Sequence, residues 1–316
     1  MIYLNTYSCP LLMGLIKNKK NWNFLQFVKF LKMNHVYFIE FPIDYFAKKE
    51  KKKFEYFLKI LKKNKIKFIL DLEDFNIRSV ITLKKISKIY DISIIRVKMS
   101  NFFGGNRFLV KNFYLIKKKF EYKLKKCSQI LNNTKIKIAI ENHQDLSSTE
   151  LVNIIKKLNT KNFGINWDMG NSLATAETQK QFFNNIKKYI INVHAKDYKI
   201  ILSDQGFFLK RTVAGTGVIN FDDYIAYFKK KKINISIELA AHISRHCMVK
   251  HPLFKKEHKI KNLILKNFIR EIDTLSSNEN PLSEWQLYRS ERKSINNEIF
   301  SLIRSYNYIR QIYEKS

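Results

Sequence analysis

The chain has 316 residues, 45% of them hydrophobic, and a formal charge of +32. That length can bury a large single core, and no apolar run is long enough to span a bilayer. The three cysteines, Cys9, Cys127 and Cys247, are odd in number and not in CxxC pairs, which excludes a disulfide framework and a zinc ribbon and suits a reducing compartment. Residues 1–6 lack a basic segment followed by an apolar core, so a cytoplasmic location is expected. Lysine supplies most of the charge, and Lys, Asn, Ile and Phe are inflated together. That pattern reads as a bias of the whole composition. The runs Lys51-Lys52-Lys53, Lys117-Lys118-Lys119 and Lys229 to Lys232 fall on or beside predicted helices, where solvated outer faces account for them better than a nucleic-acid partner.

In chain order, residues 2–7 form a first predicted strand, and a loop through Pro10 and Gly14 follows. Residues 22–33 carry Phe24, Phe27, Val28 and Leu31 at helical spacing. A strand over 36–41 carries Glu40, a lysine-rich helix spans 54–61, and a strand over 66–70 ends at Asp71. A helix over 80–89 leads to a strand over 92–97 that contains Arg96, expected to pair with Asp71 inside the fold. The loop 100–107 holds Gly104-Gly105, and a long helix over 113–131 delivers the chain to a fifth strand.

From there four strands share one shape. Residues 136–142, 163–171, 190–198 and 233–239 are apolar runs that end abruptly in polar, ionisable residues: Glu141, Asp168, His194 and Glu238. These ends are 27, 26 and 44 residues apart. One strand-helix-strand unit takes about 30 residues, so the last interval contains an extra loop over 198–217. Eight apolar strands alternating with helices predict an α/β fold, a single (β/α)8 TIM barrel over residues 1–275. Residues 276–316 read as a C-terminal helical extension, with one or two amphipathic helices over 282–313 that pack on the barrel or on a second copy in a homodimer.

Chemistry in such barrels sits at the C-terminal strand ends. Three carboxylates and one imidazole there make a hard, mostly oxygen site for one divalent cation, Mn²⁺, Mg²⁺ or Co²⁺, with positions left for substrate oxygens. A cation so held chelates a carbonyl and its neighbouring hydroxyl and stabilises the enediolate formed when a carbon-bound proton leaves. Glu141 and Glu238, from opposite sides, are placed to remove and return that proton.

The pieces Ile140-Glu141-Asn142-His143, Trp167-Asp168-Met169-Gly170-Asn171, Val193-His194-Ala195-Lys196-Asp197, Gly215 to Phe221 and Ile237-Glu238-Leu239 resemble the xylose isomerase-like barrel superfamily. They are most similar to its sugar isomerase/epimerase branch, which includes D-tagatose 3-epimerase and inosose dehydratase. The resemblance covers residues 2–275 and is dense from the fifth strand onward. It implies that Glu141, Asp168, His194 and Glu238 are the metal ligands and that Glu141 and Glu238 are the acid/base pair. It implies a metal-dependent isomerase or epimerase acting on a small ketose or sugar derivative. The epimerases usually carry a histidine three residues after the strand-six aspartate, where this chain has Asn171. Dehydration or decarboxylation of an oxo-sugar or oxo-sugar acid on the same site therefore stays open, and an AP endonuclease-like nuclease is a second alternative.

Further candidates surround these ligands. His143 and Asn171 are expected at the substrate. Lys196 and Arg211 are candidates for a substrate carboxylate or phosphate, Arg211 through its bidentate fork. Glu40 is a candidate for a substrate hydroxyl, and Trp167 for a wall against a sugar ring. Gly215 and Gly217 read as turn glycines, and His242, His246, His251 and His258 as surface residues.

Overall fold

The computed structural model describes residues 1–17, 21–43, 51–240, 242–287 and 291–316. Its strands are β1 (Ile2–Asn5), β2 (Phe38–Pro42), β3 (Lys67–Leu72), β4 (Ile94–Val97), β5 (Lys137–Glu141), β6 (Phe163–Asp168), β7 (Ile190–Ala195), β8 (Asp197–Ser203), β9 (Gly206–Thr212), β10 (Asn234–Ile237) and β11 (Arg245–Cys247). Strands β1 to β7 and β10 close into a barrel in which every neighbour is parallel. The described helices are α1 (Phe24–Met33), α2 (Lys51–Lys63), α3 (Ile77–Ile86), α4 (Phe113–Leu131), α5 (Ser148–Leu158), α6 (Gln179–Ile186), α7 (Asp222–Lys230), α8 (Pro252–His258), α9 (Asn262–Leu275), α10 (Glu284–Leu287) and α11 (Glu291–Lys315). The predicted (β/α)8 barrel is the observed one.

Local sequence explains where the helices that follow the site strands begin. Ser147 accepts the backbone N–H of Glu150, whose side chain reaches back to the N–H of Ser147, and Thr178 and Gln181 repeat this box before α6. The first box starts α5 soon after β5 ends at Glu141, whereas a 3-10 turn over Met169–Thr175 separates the end of β6 from the box before α6.

The barrel interior is layered. Tyr3, Ile69, Ile94 and Ala139 form an apolar plug, with Phe38 and Ile191 against it. Two residues further along the same strands, on the same face, come Asn5, Asp71, Arg96, Glu141 and Glu40. All five are buried. The inside of the barrel is therefore apolar at the bottom and ionic at the top. The larger apolar core lies outside the barrel, between strands and helices.

The expected long loop over 198–217 is largely an antiparallel hairpin. Strands β8 and β9 pair through Ser203 and Gly206 around a two-residue turn, and β11 adds at the edge. Tyr198 and Ile200, then Phe207 and Leu209, alternate at a period of two on either side of Asp204-Gln205-Gly206, the signal for such a hairpin. The C-terminal helix α11 packs on α7 and β10, with Leu302, Tyr306 and Ile309 in the main core. Among the described residues no helix is long and apolar enough to cross a membrane.

Candidate metal centre

Glu141 closes β5, Asp168 closes β6, His194 lies one residue before the end of β7, and Glu238 follows β10 directly. All four side chains are buried, and one ligand atom from each lies within 4.8 Å of the others. Register brings this about: Asp168 pairs with His194 across β6 and β7, and His194 with Ser236 across β7 and β10. Glu141 Oε2, Asp168 Oδ1, His194 Nδ1 and Glu238 Oε2 have no hydrogen-bond partner. Glu141 Oε2 does lie 3.1 Å from Arg96 Nε, and His194 Nδ1 contacts Glu238 Oε2. Buried polar atoms left this way call for a counter-charge. Three carboxylates and an imidazole fit a hard divalent ion at that point.

The imidazole is oriented from below. His194 Nε2 lies 2.8 Å from Glu40 Oε1, which leaves Nδ1 facing the other ligands. Glu40 also accepts from Ser236 Oγ and, at 3.3 Å, from Asn192 Nδ2. Burial works to raise the Glu40 carboxyl; the charge and hydrogen bond of His194, with Asp71 and Arg96, together outweigh it and hold Glu40 at about 2. Burial likewise works to lower His194, and Glu40 and Glu238 overcome it, so the imidazole titrates well above its ordinary value. Glu40 was expected at a substrate hydroxyl. It is instead fully buried beneath His194 and does not line the cavity.

Asp168 is held by three polar groups. Its backbone N–H donates to Asn142 Oδ1 at 2.7 Å, and Asn142 Nδ2 donates to its carbonyl at 3.0 Å. Asn171 Nδ2 donates to Asp168 Oδ2 at 2.6 Å. The Asn171 oxygen in turn accepts from Gln144 Nε2 at 2.8 Å and Tyr198 OH at 3.2 Å. Burial raises the Asp168 carboxyl to about 7, against the pull of Lys196. Lys196 Nζ sits 2.6 Å from Asp168 Oδ2 and 2.8 Å from Glu238 Oε1. Those carboxylates outweigh its burial and keep it cationic, while Lys196 and His194 outweigh the burial of Glu238 and keep that carboxylate ionised.

Above this layer a cavity of about 400 Å³ is lined by Glu141, Glu238, His143, Asn171 and Lys196 among others. Burial first, then the charges of Lys98 and Lys196, hold His143 well below its usual value, so its ring is neutral. Arg96 Nε reaches Asp71 at 3.2 Å, the ion pair expected from the sequence, and Arg96 also meets Glu141 and Glu73.

Besides Glu40, three placements differ from expectation, those of Arg211, Trp167 and the later histidines, while Gly215 and Gly217 are the turn glycines expected. Arg211 is buried and donates to the carbonyl of Leu239 at 2.8 Å, outside the cavity lining, so it steadies the chain just after Glu238. Trp167 packs outside the barrel against Phe183, Tyr224 and Phe228 and is no sugar wall. Strand alternation explains this, because its neighbour Asp168 points inward. His258 Nε2 lies 2.6 Å from the Gly105 carbonyl and His251 caps α8, while His242 lines the cavity. The N–H groups of Gly215, Gly217 and Ile219 all donate to the Asp197 carboxylate, so an internal anion fills the turn. Gly215 has φ +84, and a Cβ on Gly217 would stand 2.3 Å from Asp197 Oδ1.

Sequence reasoning also missed Gln144, Asn142 and Tyr198. Asn142 lies in the quoted motif and Gln144 directly follows it, but only the fold shows that their amides face Asp168 and Asn171.

A family model described as xylose isomerase-like TIM barrel matches residues 101–262. No curated protein sequence matches the chain. Similar solved structures include a D-tagatose 3-epimerase-like protein, at 17% identity and TM-score 0.56, over 86% of this chain and 98% of that one. The probable 3-DHS dehydratase AsbF from Bacillus anthracis is similar at 14% identity and TM-score 0.55, over 88% and 100%. The IolI protein with a bound zinc atom is similar at 14% identity and TM-score 0.50, over 88% and 99%. At these identities the structural likeness is one of fold, whereas the family model spans more than half of the 316 residues. The chain belongs to the xylose isomerase-like TIM barrel family.

Proposed function

We propose that this chain is a cytoplasmic, divalent-metal-dependent isomerase or epimerase of a small ketose or sugar derivative, working through an enediolate. Glu141, Asp168, His194 and Glu238 hold one ion, Mn²⁺, Mg²⁺ or Co²⁺. The observation that carries the reading is their convergence within 4.8 Å, with Asp168 Oδ1 buried and unpartnered among them, at the floor of a cavity sized for a small ligand. The zinc atom bound by IolI, of the same fold, supports a metal there but not its identity.

An ion bound there supplies Lewis acidity, which eases loss of a carbon-bound proton beside a carbonyl. Glu238 is ionised and takes up the proton at its carboxylate; Glu141 returns one from the facing strand. Lys196, between Asp168 and Glu238, offers N–H donors to a substrate oxygen, and neutral His143 offers a further proton carrier at the cavity wall. Free, buried Cys9, Cys127 and Cys247 suit a reducing compartment.

One observation favours a second reading, dehydration or decarboxylation of an oxo-sugar acid. Asn171 is turned into Asp168 and Tyr198, so the position that carries a substrate-facing histidine in the epimerases serves the ligand layer here. The test is incubation of the Mn²⁺-loaded protein with ketoses, inososes and oxo-sugar acids in heavy water. Deuterium incorporation that disappears in Glu238→Gln supports the proposal. Incorporation into none of them, or undiminished in that variant, contradicts it.

A further inference from the structure

The cavity is lined by four long cationic side chains: Arg96, Lys98, Lys196 and Arg245. Three are matched to carboxylates. Arg96 meets Asp71, Glu73 and Glu141; Lys98 pairs with Glu73; Lys196 lies between Asp168 and Glu238. Arg245 has no such partner among the described residues. Its guanidinium carbon lies 3.5 Å from the centre of the Phe103 ring, and its buried Nε makes no hydrogen bond. A desolvated cation without a counter-charge is costly and costs less once an anion arrives. Burial depresses its pKa, and no carboxylate offsets that.

The surroundings point the same way. Phe103, 37% exposed, puts Arg245 on the solvent side of the cavity, and the ring is 5.1 Å from His143, two residues beyond Glu141. The guanidinium is therefore stacked and pre-oriented, with its remaining N–H groups free for a planar, two-oxygen partner. It is delivered by β11, the edge of the three-stranded sheet that this chain adds to its barrel.

We propose that the substrate carries a carboxylate and that Arg245 binds it, at the end of the cavity away from the four metal ligands. This rests on the enediolate reading above and narrows it from sugars in general to sugar acids. A single unpaired cation matches one negative charge, which favours a carboxylate over a phosphate dianion.

The test is calorimetric titration of the full, Mn²⁺-loaded chain with three ketoses that differ only at C6: fructose, fructuronate and fructose 6-phosphate. Wild type binds fructuronate at least tenfold more tightly than fructose and more tightly than the phosphate. Arg245→Gln, checked for the same Mn²⁺ content and melting temperature, narrows the fructuronate-to-fructose ratio to within threefold; Arg245→Lys restores part of it. An equal affinity for all three, a preference that survives Arg245→Gln, a stronger Arg245-dependent preference for the phosphate, or no binding of any of them overturns the assignment. Deuterium exchange in the same samples separates the two layers. Exchange without a fructuronate preference removes the carboxylate assignment alone. Arg245-dependent fructuronate binding without any exchange removes the enediolate reading and leaves the anion site.

Discussion

His194 and Glu40 are 154 residues apart in sequence, and their side chains meet at 2.8 Å beneath the four strand ends. The pairing fixes which imidazole nitrogen faces upward. Both groups are fully buried, so neither can exchange this partner for water.

In the proposed metal site Glu40 is a positioning residue, and its loss is expected to be felt at His194. Glu40→Gln is expected to weaken Mn²⁺ binding by roughly 10–100-fold, the usual cost of losing a ligand's outer partner. Calorimetric titration of the variant checks this; wild-type affinity would return Glu40 to a purely structural role. His194→Ala is expected to abolish measurable binding.

The pH dependence of metal binding follows from Asp168. Burial raises its carboxyl from 3.8 to about 7 in the metal-free fold. A carboxyl raised in this way stabilises the metal-free protein fully below its unfolded value, and that contribution is lost as pH rises through about 7. The ion needs the carboxylate and a neutral imidazole, so its affinity moves the opposite way: about tenfold weaker per pH unit as Asp168 takes up its proton below 7, and still rising above 7 while His194, raised above its ordinary value, gives up its own. Mn²⁺ titrations at half-unit steps from pH 5.5 to 8 read this slope directly. A flat profile would contradict it.

The barrel and the convergence of four strand-end side chains were legible in the sequence because both rest on local signals. Apolar runs ending in Glu141, Asp168, His194 and Glu238 at near-unit spacing already imply parallel strands with ionisable ends. The partners under and beside them were not legible. Glu40 sits on β2 and reaches β7 only because the barrel closes, and strand alternation gives it an inward face without saying how deep that face lies. Arg211 and Trp167 show the opposite error. A cation and an indole near motif residues looked like substrate contacts, but one points to the Leu239 carbonyl and the other into the helix layer.

Asn142 ties β5 to β6 by two hydrogen bonds to the Asp168 backbone. Asn142→Ala leaves a buried N–H and a buried carbonyl without partners. It is expected to destabilise the fold by about 2–4 kcal/mol, from the usual cost of unsatisfied buried groups, and to weaken Mn²⁺ binding in parallel. Urea denaturation gives the first quantity; a loss below 0.5 kcal/mol would mean that these bonds contribute little.

The C-terminal helix reaches the site through Glu298, whose two carboxylate oxygens accept the N–H groups of Leu11 and Leu12 at 3.0 and 3.2 Å. The same loop brings Pro10, Leu15 and Ile16 to the cavity. Glu298→Ala is expected to cost about 1–3 kcal/mol of stability and to raise KM more than it lowers kcat, because the loop borders the cavity and holds no ligand. The reverse pattern in steady-state kinetics would contradict the assignment.

Lys230, exposed near the end of α7, tests the reading of the +32 charge. Lys230→Glu is expected to leave turnover within about twofold, as an exposed, unpaired charge does. A large loss, steep in salt, would favour a polyanionic partner.

The most direct measurement of the central claim is metal stoichiometry. The purified chain, stripped and reloaded with Mn²⁺, is expected to bind one ion per chain, and Asp168→Asn, His194→Ala and Glu238→Gln are each expected to lower its affinity at least tenfold. Binding of no ion, of several ions per chain, or of one ion indifferent to all three substitutions would contradict a single centre at these strand ends.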